Sequence, residues 1–309
     1  MSSNVWVVVP ALNEAENLPV VIPAIVNELV LLGVDGHVLV VDDGSTDKTR
    51  EVGIDLADRL GQVELLSLGR NQGKATALRH GFERALEAGA DVVAMMDADG
   101  QDDPAELGVL LARMDDGADL VTGARNEGRN DRFIKRNTSK IYNGATARLS
   151  GVPGKDFNSG FKVMRAEVAR QAAPMMYGEL HRYLTVIAHW FGFSTAEVTV
   201  QHHPRLHGTS KYGLARFWRG FVDLLTVRFL MSYESRPSHL FSGVGLASFA
   251  VGGLGLSYLL VEKLAGEAIG GRPLMIASVT ALLAGLQFVL FGLLAELVVY
   301  SRNRERERA

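Results

Sequence analysis

Two long apolar segments near the end of the chain place the strongest constraint on its fold. Leu240–Val261 contains no charged residue, and Leu274–Tyr300 contains only Glu296. Each is longer than the ~20 residues that a helix needs to cross a hydrocarbon core. Neither leaves the polar face expected of a helix in a soluble domain. The sequence therefore predicts two transmembrane helices, and the many small residues of the first predict close helix packing.

The charges that flank these segments predict their orientation. Lysine and arginine are frequent before the first segment and after the second, whereas the loop between them contains only Lys263 and Arg272. Basic residues favour the cytoplasmic side. The N-terminus lacks a basic region, and the apolar run Val5–Pro10 is too short for a signal peptide. We expect an integral membrane protein with two spans, whose N-terminal domain and both termini are cytoplasmic.

Composition excludes several classes of protein. The net charge of −3 gives no indication of a nucleic-acid partner, and the absence of cysteine excludes disulfides and thiolate metal sites. Four parts are expected: a domain over 1–208, an amphipathic juxtamembrane segment over 209–239, the two spans over 240–300 and a basic tail over 301–309. Membrane lipids are the expected surroundings, and the small residues of the spans are compatible with a homo-oligomer.

The first part of the chain alternates short β-branched apolar runs with segments of helical periodicity. Strands are predicted at 5–9, 37–41, 63–68, 92–96, 120–122 and 198–201. Helices are predicted at 17–32, 46–60, 73–88 and 107–114. Such βα repeats predict an α/β domain with a mainly parallel, three-layer sheet. Polar clusters (PALNE, DDGSTD, GRNQGK and DADGQ) follow the first four strands, so a single site is expected at the carboxyl ends of the strands.

Asp97 and Asp99 follow the fourth strand, where strand alternation would point both carboxylates the same way. Two adjacent carboxylates repel each other unless a cation lies between them, and oxygen ligands suit Mg²⁺ or Mn²⁺. Gln101 could add a neutral oxygen. The alternative is a solvated acidic turn before a helix, which accounts better for Asp102 and Asp103. The sequence therefore predicts a metal site at Asp97 and Asp99.

Two other clusters are suited to a nucleotide. Asp42 and Asp43 could accept hydrogen bonds from a ribose or a base, although Asp before Gly is also common in an Asx turn. Gly73 and Lys74 open a helix, where free N–H groups and a cation favour phosphate. An ordinary helix start is an equal alternative. No Rossmann or P-loop glycine motif and no HExxH is present.

Basic residues in the second half of the chain are candidates for binding phosphate. Arg125, Arg136, Ser139 and Lys140 follow the fifth predicted strand, and a second set follows the last strand in a glycine-containing turn. That second set consists of Arg205, Ser210 and Lys211. The arginines further on, at 216, 219 and 228, fit an amphipathic helix on anionic headgroups.

Six motifs together resemble one family. PALNEAENL, VDDGSTD, NQGKATAL, DADGQDDP, DFNSGFKV and HPRLHGTSKY, in this order, are similar to family 2 glycosyltransferases of the GT-A fold. Within that family they look like the polyprenyl-phosphate (dolichyl-phosphate) mannose and glucose synthases. Processive polysaccharide synthases share the fold, but their QxxRW motif and additional spans are missing from this sequence.

The resemblance implies a role for each matching residue. The donor nucleotide would be held by Pro10, Ala11, Asn13, Glu14, Asp42 and Asp43, with Gly73 and Lys74 closing over it. The divalent metal would be bound by Asp97, Asp99 and Gln101, with Asp99 essential for catalysis. The acceptor phosphate would be bound by Arg125, Arg136 and Ser139. The donor diphosphate would be bound by Arg205, Ser210 and Lys211, and Asp156 occupies the family's acidic position.

The reaction that the resemblance implies is transfer of a hexose from a nucleotide sugar, UDP-glucose or GDP-mannose, to polyprenyl or dolichyl phosphate with inversion. A phosphate monoester is already ionised at pH 7, since its second pKa is about 6. Asp156 could therefore orient the acceptor rather than act as a base, and both roles stay open. The alternatives are a transferase of the same fold acting on a hydroxyl of another membrane lipid, which needs a base, and a non-catalytic membrane scaffold.

Overall fold

The computed structural model describes residues 4–125, 144, 146–148, 150–152, 154, 156–204, 226, 229, 238–269 and 271–306. The chain forms two compact units, Met1–Val227 and Arg228–Ala309. The first unit contains the α/β domain that the sequence predicts, and the second contains the two long apolar helices.

A seven-stranded sheet forms the centre of the first unit. Its strands are β1 (Asn4–Ala11), β2 (Asp35–Asp42), β3 (Val63–Ser67), β4 (Val92–Met95), β5 (Leu120–Arg125), β6 (Lys162–Arg165) and β7 (Thr195–Val200). They lie in the order β3-β2-β1-β4-β6-β5-β7. Four neighbouring pairs are parallel, and only β6 runs antiparallel, between β4 and β5. The predicted mainly parallel α/β sheet is confirmed.

Helices cover both faces of this sheet. Over the residues that the structure describes, the helices of the first unit include α1 (Leu18–Leu31), α2 (Thr49–Arg59), α3 (Lys74–Glu87), α4 (Leu107–Asp115), α5 (Ala166–Ala172) and α6 (Leu184–Trp190). Short 3-10 helices occupy Pro104–Glu106, Ala173–Met175 and Leu180–Tyr183. Val7 of β1 shares a core with Ile22 of α1, whereas its neighbour Val8 faces Gly81 of α3. Because successive strand residues point to opposite faces, α1 and α3 lie on opposite sides and the domain has three layers.

Two parts of this fold differ from the sequence prediction. The antiparallel strand β6 and the helices α5 and α6 after it were not predicted, because their segments are short and β6 contains Lys162 and Arg165 among its four residues. Strand β4 ends at Met95, before the acidic cluster. Residues 98–100 form a turn, in which Gly100 has a φ of +72°. Strand alternation therefore does not orient Asp97 and Asp99, contrary to the expectation from the sequence.

The second unit contains α7 (Ser238–Leu264) and α8 (Pro273–Arg306). Ser238–Leu264 and Pro273–Ser301 contain 18-residue windows with mean hydropathies of 1.9 and 2.3, so by length and composition they are candidate membrane spans. Glycines bring the two helices close together. A Cβ added to Gly252 would lie 2.6 Å from the carbonyl oxygen of Ser278, whereas nothing lies within 4 Å of one added to Gly253. The small residues of α7 therefore pack against α8 of the same chain, and self-association remains a prediction.

Candidate active site

The first two polar clusters meet at the carboxyl ends of β1 and β2. Ala11 and Asp42 are paired in the register of the two strands, and the Asp43 N–H donates to the Ala11 carbonyl at 2.9 Å. Asn13 has a φ of +58°, a conformation that Asn tolerates better than most residues. Its side-chain oxygen accepts from the Thr46 N–H at 2.8 Å. Loops distant in sequence are therefore joined at this edge, as predicted.

Asp42 and Asp43 are both buried, and both carboxylates accept hydrogen bonds from other parts of the sheet edge. Asp42 accepts from the Ser45 N–H at 2.9 Å and from the Ser67 hydroxyl at 3.1 Å. The first bond spans three residues rather than the two of an Asx turn, so the alternative of an Asx turn is not what these contacts show. Asp43 accepts from the Gln72 and Gly73 N–H groups at 2.7 and 2.9 Å. Asp43 thereby fixes the start of α3, and contact of either carboxylate with a nucleotide remains a prediction.

Gly44 allows these loops to approach each other. It has a φ of +71°, and a Cβ at this position would lie 2.5 Å from the Asn71 nitrogen. A side chain would therefore push the loop before α3 away from the DDGSTD turn. The glycine of the DDG sequence meets both a conformational and a steric requirement of this edge.

The acidic turn after β4 is neutralised by a lysine from α3. Lys74, the first residue of that helix, forms an ion pair with Asp97. Removal from water would raise the pKa of Asp97, but the charge and hydrogen bond of Lys74 outweigh it and hold that pKa below its ordinary 3.8. Asp99 is buried, and its carboxylate accepts from the Gln101 N–H at 3.1 Å. The predicted metal residues and the predicted phosphate-binding lysine therefore lie together.

The chemistry of this turn fits a hard divalent cation. Its donors are the carboxylate oxygens of Asp97 and Asp99, and oxygen is the element that Mg²⁺ and Mn²⁺ prefer. Over the part of the chain that the structure describes, no cluster of three or more His, Asp or Glu side chains is poised to hold a metal ion. A metal held by this pair would need further oxygens, such as those of a bound diphosphate. The side-chain NH₂ group of Gln101 donates to the His203 carbonyl at 3.4 Å. Metal binding by its side-chain oxygen stays a prediction.

Two histidines that the sequence analysis did not select join the end of β7 to this turn. Asp102 and His202 form an isolated antiparallel bridge, and the His203 N–H donates to the Gln101 carbonyl at 2.8 Å. The His203 ring lies 2.9 Å from the Asp103 carboxylate. Asp102 in turn accepts from the Asp97 N–H at 3.3 Å. The segment after β7 therefore supports the acidic turn, and the HHP sequence gave no local indication of this contact.

The acidic turn is one polar centre of the site, and Arg125 and Asp156 form the other. Nε of Arg125 lies 2.6 Å from Oδ2 of Asp156, and Nη2 lies 2.9 Å from Oδ1. Burial would raise the pKa of Asp156, but the hydrogen bonds and charge of Arg125 keep it below 3.8. Burial alone would lower the pKa of Arg125. The hydrogen bonds and charge of Asp156, with smaller contributions from Asp102 and Asp97, outweigh burial and raise that pKa above its ordinary value. This centre therefore lies within electrostatic reach of the acidic turn.

Lys162 is a functional candidate that the sequence analysis missed. It opens β6, is fully buried, and donates to the carbonyl oxygens of Phe157 (at 3.3 Å) and Ser159. Burial lowers its pKa to about 8, while Asp156 and Asp97 favour the charged form and Lys74 and Arg125 oppose it. The signal available in the sequence was a lysine within the apolar context of the DFNSGFKV motif.

A cavity of about 220 Å³ lies beside the Arg125–Asp156 pair. Its walls come from β5, β7, α6 and the segment around Asp156, and they include the hydroxyl-bearing residues Thr122, Thr185 and Thr195. Thr122 and Thr185 hydrogen-bond to each other at 3.0 Å. Glu197 accepts from the Asp156 N–H at 3.3 Å. Asp156 is therefore held from both sides, by an arginine and by the β7 edge.

Several predicted residues lie outside the described residues: Arg136, Ser139, Arg205, Ser210 and Lys211. Pro10 and Ala11 close β1, and the Glu14 N–H donates to the Thr49 hydroxyl at 2.8 Å. Of the residues predicted from sequence, the structure brings together Lys74 with Asp97, Asp43 with Gly73, and Arg125 with Asp156.

A Rossmann-like, mainly parallel sheet with an acidic turn after its fourth strand is the GT-A architecture, and this site defines the class as glycosyltransferases. Residues 6–172 match the family described as Glycosyl transferase family 2. The chain belongs to this family and is a glycosyltransferase.

Relatives match over nearly the whole chain. A dodecaprenyl-phosphate galacturonate synthase of Rhizobium johnstonii is 32% identical over 303 residues, which cover 96% of this chain and 88% of that protein. An undecaprenyl-phosphate 4-deoxy-4-formamido-L-arabinose transferase of Pseudomonas aeruginosa is 33% identical over 309 residues, covering 98% and 88%. Both names describe enzymes that act on a polyprenyl phosphate.

Solved structures share the fold. A mannosyltransferase of Pyrobaculum calidifontis, solved with GDP-Man and Mn²⁺, has a TM-score of 0.54 and 18% identity over 94% of this chain and 88% of that chain. A glucosyl-3-phosphoglycerate synthase of Mycobacterium tuberculosis, solved with Mn²⁺, UDP and its product, has a TM-score of 0.55 and 20% identity, over 73% and 80%.

Proposed function

We propose that this protein transfers a sugar from a nucleotide sugar to a polyprenyl phosphate at the cytoplasmic face of a membrane. Two polyprenyl-phosphate enzymes match 96% and 98% of the chain, so the likeness includes the two apolar helices as well as the α/β domain. Those helices are the proposed membrane anchor, and the basic residues that flank them favour cytoplasmic termini.

The choice of a phosphate acceptor rests on one observation, the lowered pKa of Asp156 and its pairing with Arg125. A lipid hydroxyl would need a side-chain base to remove its proton in the transition state, and such a base works best with a pKa near the operating pH. Asp156 instead has a lowered pKa and a bidentate arginine partner. A phosphate acceptor needs no such base because it is already ionised at pH 7. The geometry therefore supports a phosphate acceptor over a hydroxyl acceptor.

Each part of the site has a role in this reaction. The Asp42–Asp43 turn and the loop that Asp43 holds form the side on which the nucleotide would lie. Mg²⁺ or Mn²⁺ held by Asp97 and Asp99 would supply positive charge to the donor diphosphate. Lys74 would supplement that charge from the start of α3. Arg125, fixed by Asp156, would orient the acceptor phosphate.

The donor sugar is the less specific part of the proposal. UDP-glucose and GDP-mannose are the donors that the sequence resemblance favours, and the names of the relatives add galacturonate and 4-deoxy-4-formamido-L-arabinose. We propose UDP-glucose or GDP-mannose, both hexose donors, with the hexuronate donor UDP-galacturonate as the third candidate. The cavity beside Asp156 is lined by three threonines, whose hydroxyls would offer hydrogen bonds to a sugar bound there.

A donor screen tests the function. Full-length protein in detergent is incubated with Mn²⁺ and radiolabelled UDP-glucose, GDP-mannose or UDP-galacturonate, with and without a short polyprenyl phosphate. We expect label to enter the lipid only when the polyprenyl phosphate is present. Label in a diacylglycerol or glycolipid supplied instead would support the hydroxyl-acceptor alternative, and no transfer or hydrolysis with any donor would support a scaffold.

A further inference from the structure

We infer that Lys162 is a positioning residue: it holds segment 156–160 in the conformation that joins the acidic turn to the Arg125–Asp156 pair. The inference deepens the proposed function and rests on it. Lys162 touches neither centre through a hydrogen bond in the described structure, so its effect is indirect.

Lys162 fixes segment 156–160 through hydrogen bonds to its main chain. Its side chain is fully buried, yet its ammonium group donates to two main-chain carbonyls, of Phe157 and Ser159. A buried cation is costly unless it is paired or hydrogen-bonded, so these bonds and the nearby carboxylates are required to keep it there. The Ser159 hydroxyl also accepts from the Phe161 N–H at 3.2 Å. The main chain from 157 to 161 is thereby fixed from inside the domain.

The same segment packs against the acidic turn through Gly160. A Cβ added to Gly160 would lie 2.8 Å from Cγ and from both carboxylate oxygens of Asp97. The main chain at Gly160 is therefore packed directly against the carboxylate that the metal would use. A small displacement of the segment would move Asp97 or open a gap beside it.

The other end of the segment contacts Arg125, the residue that would orient the acceptor phosphate. Asp156, its first residue, binds Arg125 through two hydrogen bonds. One short segment thus has Gly160 against Asp97 at one end and Asp156 against Arg125 at the other. Lys162 bonds to carbonyls between these two ends, which is the position from which one side chain can affect both.

A positioning role of Lys162 can be distinguished from ordinary core packing by comparison with a neighbouring buried residue of β6. Met164 is a matched control, because it lies two residues further along β6, on the same face of the strand, and is also fully buried. Over the described residues, the Met164 side chain makes no hydrogen bond to segment 156–160, unlike that of Lys162. Loss of packing at Met164 should lower stability without moving either polar centre.

The experiment compares Lys162→Met, which keeps the side-chain volume, with Met164→Ala in the full-length protein. We expect Lys162→Met to raise the Mn²⁺ concentration that half-activates binding of UDP or GDP (whichever the wild type binds) by on the order of 10-fold. We also expect the acceptor KM to rise by a similar factor. Met164→Ala should lower the Tm with both constants within about threefold of wild type. Unchanged constants in folded Lys162→Met protein would overturn the inference.

A second variant covers the case in which Lys162→Met does not fold. Gly160→Ala pushes the segment against Asp97 directly, and we expect it to raise the same Mn²⁺ constant. Where both variants fold, the double variant should raise the Mn²⁺ constant by less than the product of the two single fold-increases, since both changes act through one segment. A double variant that reaches that product, or a Gly160→Ala variant with an unchanged Mn²⁺ constant, would contradict the inference. The nucleotide-binding arm needs no polyprenyl phosphate, so failure of the proposed acceptor leaves this test intact.

Discussion

Arg125 binds Asp156 through two parallel hydrogen bonds, Nε to Oδ2 at 2.6 Å and Nη2 to Oδ1 at 2.9 Å. The pair comes from the end of β5 and from the DFNSGFKV segment, which are 31 residues apart. Bidentate pairing fixes both side chains in orientation as well as in distance. It also weakens Asp156 as a proton acceptor, which makes this pair the most informative place to test the chemistry.

Asp156→Asn should leave transfer to polyprenyl phosphate measurable. If Asp156 orients Arg125, the acceptor KM should rise by on the order of 10-fold, while kcat falls less, because the phosphate needs no base. Steady-state kinetics with a short polyprenyl phosphate provide the measurement. A drop in kcat of ~10²–10⁴-fold at unchanged KM is the signature of general-base catalysis and would contradict the orienting role.

The Arg125–Asp156 pair should also appear in the pH dependence of stability. Because the folded pKa of Asp156 lies below 3.8, the stabilisation is fully present above pH 3.8 and is lost as the pH falls through the folded pKa. Asp156→Asn should therefore be less stable than wild type by ~1–3 kcal/mol at neutral pH. Thermal unfolding across pH 2.5–8 provides the test. A Tm difference that did not shrink at the acidic end would mean that the carboxylate charge contributes nothing.

Asp99→Ala should abolish both transfer and metal-dependent nucleotide binding, because the acidic turn would retain only one carboxylate for a divalent ion. EDTA should have the same effect on the wild type, with recovery on adding Mn²⁺. Asp58→Ala is the control, since Asp58 is an exposed acid on α2. Full wild-type activity in EDTA would show that the metal assignment is wrong.

Gly44→Ala and Gly69→Ala form a matched pair at the nucleotide side. Both glycines have a φ of +71°, but only at Gly44 would a Cβ meet the main chain of the opposite loop. The conformational cost of alanine, about 1–2 kcal/mol, should therefore be common to both. Only Gly44→Ala should also weaken nucleotide binding, by on the order of 10-fold, because Asp43 loses its hold on the Gln72 and Gly73 amides. Calorimetric titration with UDP and GDP measures this, and equal losses in the two variants would exclude the steric contribution.

Gly252→Val and Gly253→Val test the packing of α7 against α8. The Gly252 side of the helix has no room for a side chain, whereas a Cβ on Gly253 meets nothing within 4 Å. Overpacking typically costs about 1–3 kcal/mol, so Gly252→Val should lower the thermal stability of this helix pair in detergent. Gly253→Val should leave it close to wild type. The reverse order would show that the two helices pack through different faces.

Patterns of local sequence were sufficient for the class of fold. Runs such as VWVVV and VLVV are continuously apolar because both faces of a parallel strand are buried. Helix α1 presents Leu18, Ile22, Ile25 and Leu29 at helical spacing. Polar residues directly after those strands had to gather at one sheet edge, since parallel strands end on the same side. The family motifs then named most of the residues that the structure places there.

Contacts between distant segments could not be read from the sequence. The insertion of β6 antiparallel between β4 and β5 brings Lys162 and Gly160 behind the acidic turn, and the end of β7 brings His203 to Asp103. Neither follows from periodicity, because strand order depends on how the whole sheet is assembled. The sequence by itself determined the α/β domain, the two apolar helices and the residues at the strand ends. Only the tertiary structure decided that Lys74 neutralises Asp97 and that Arg125 holds Asp156, because an ion pair depends on where the fold brings two side chains together.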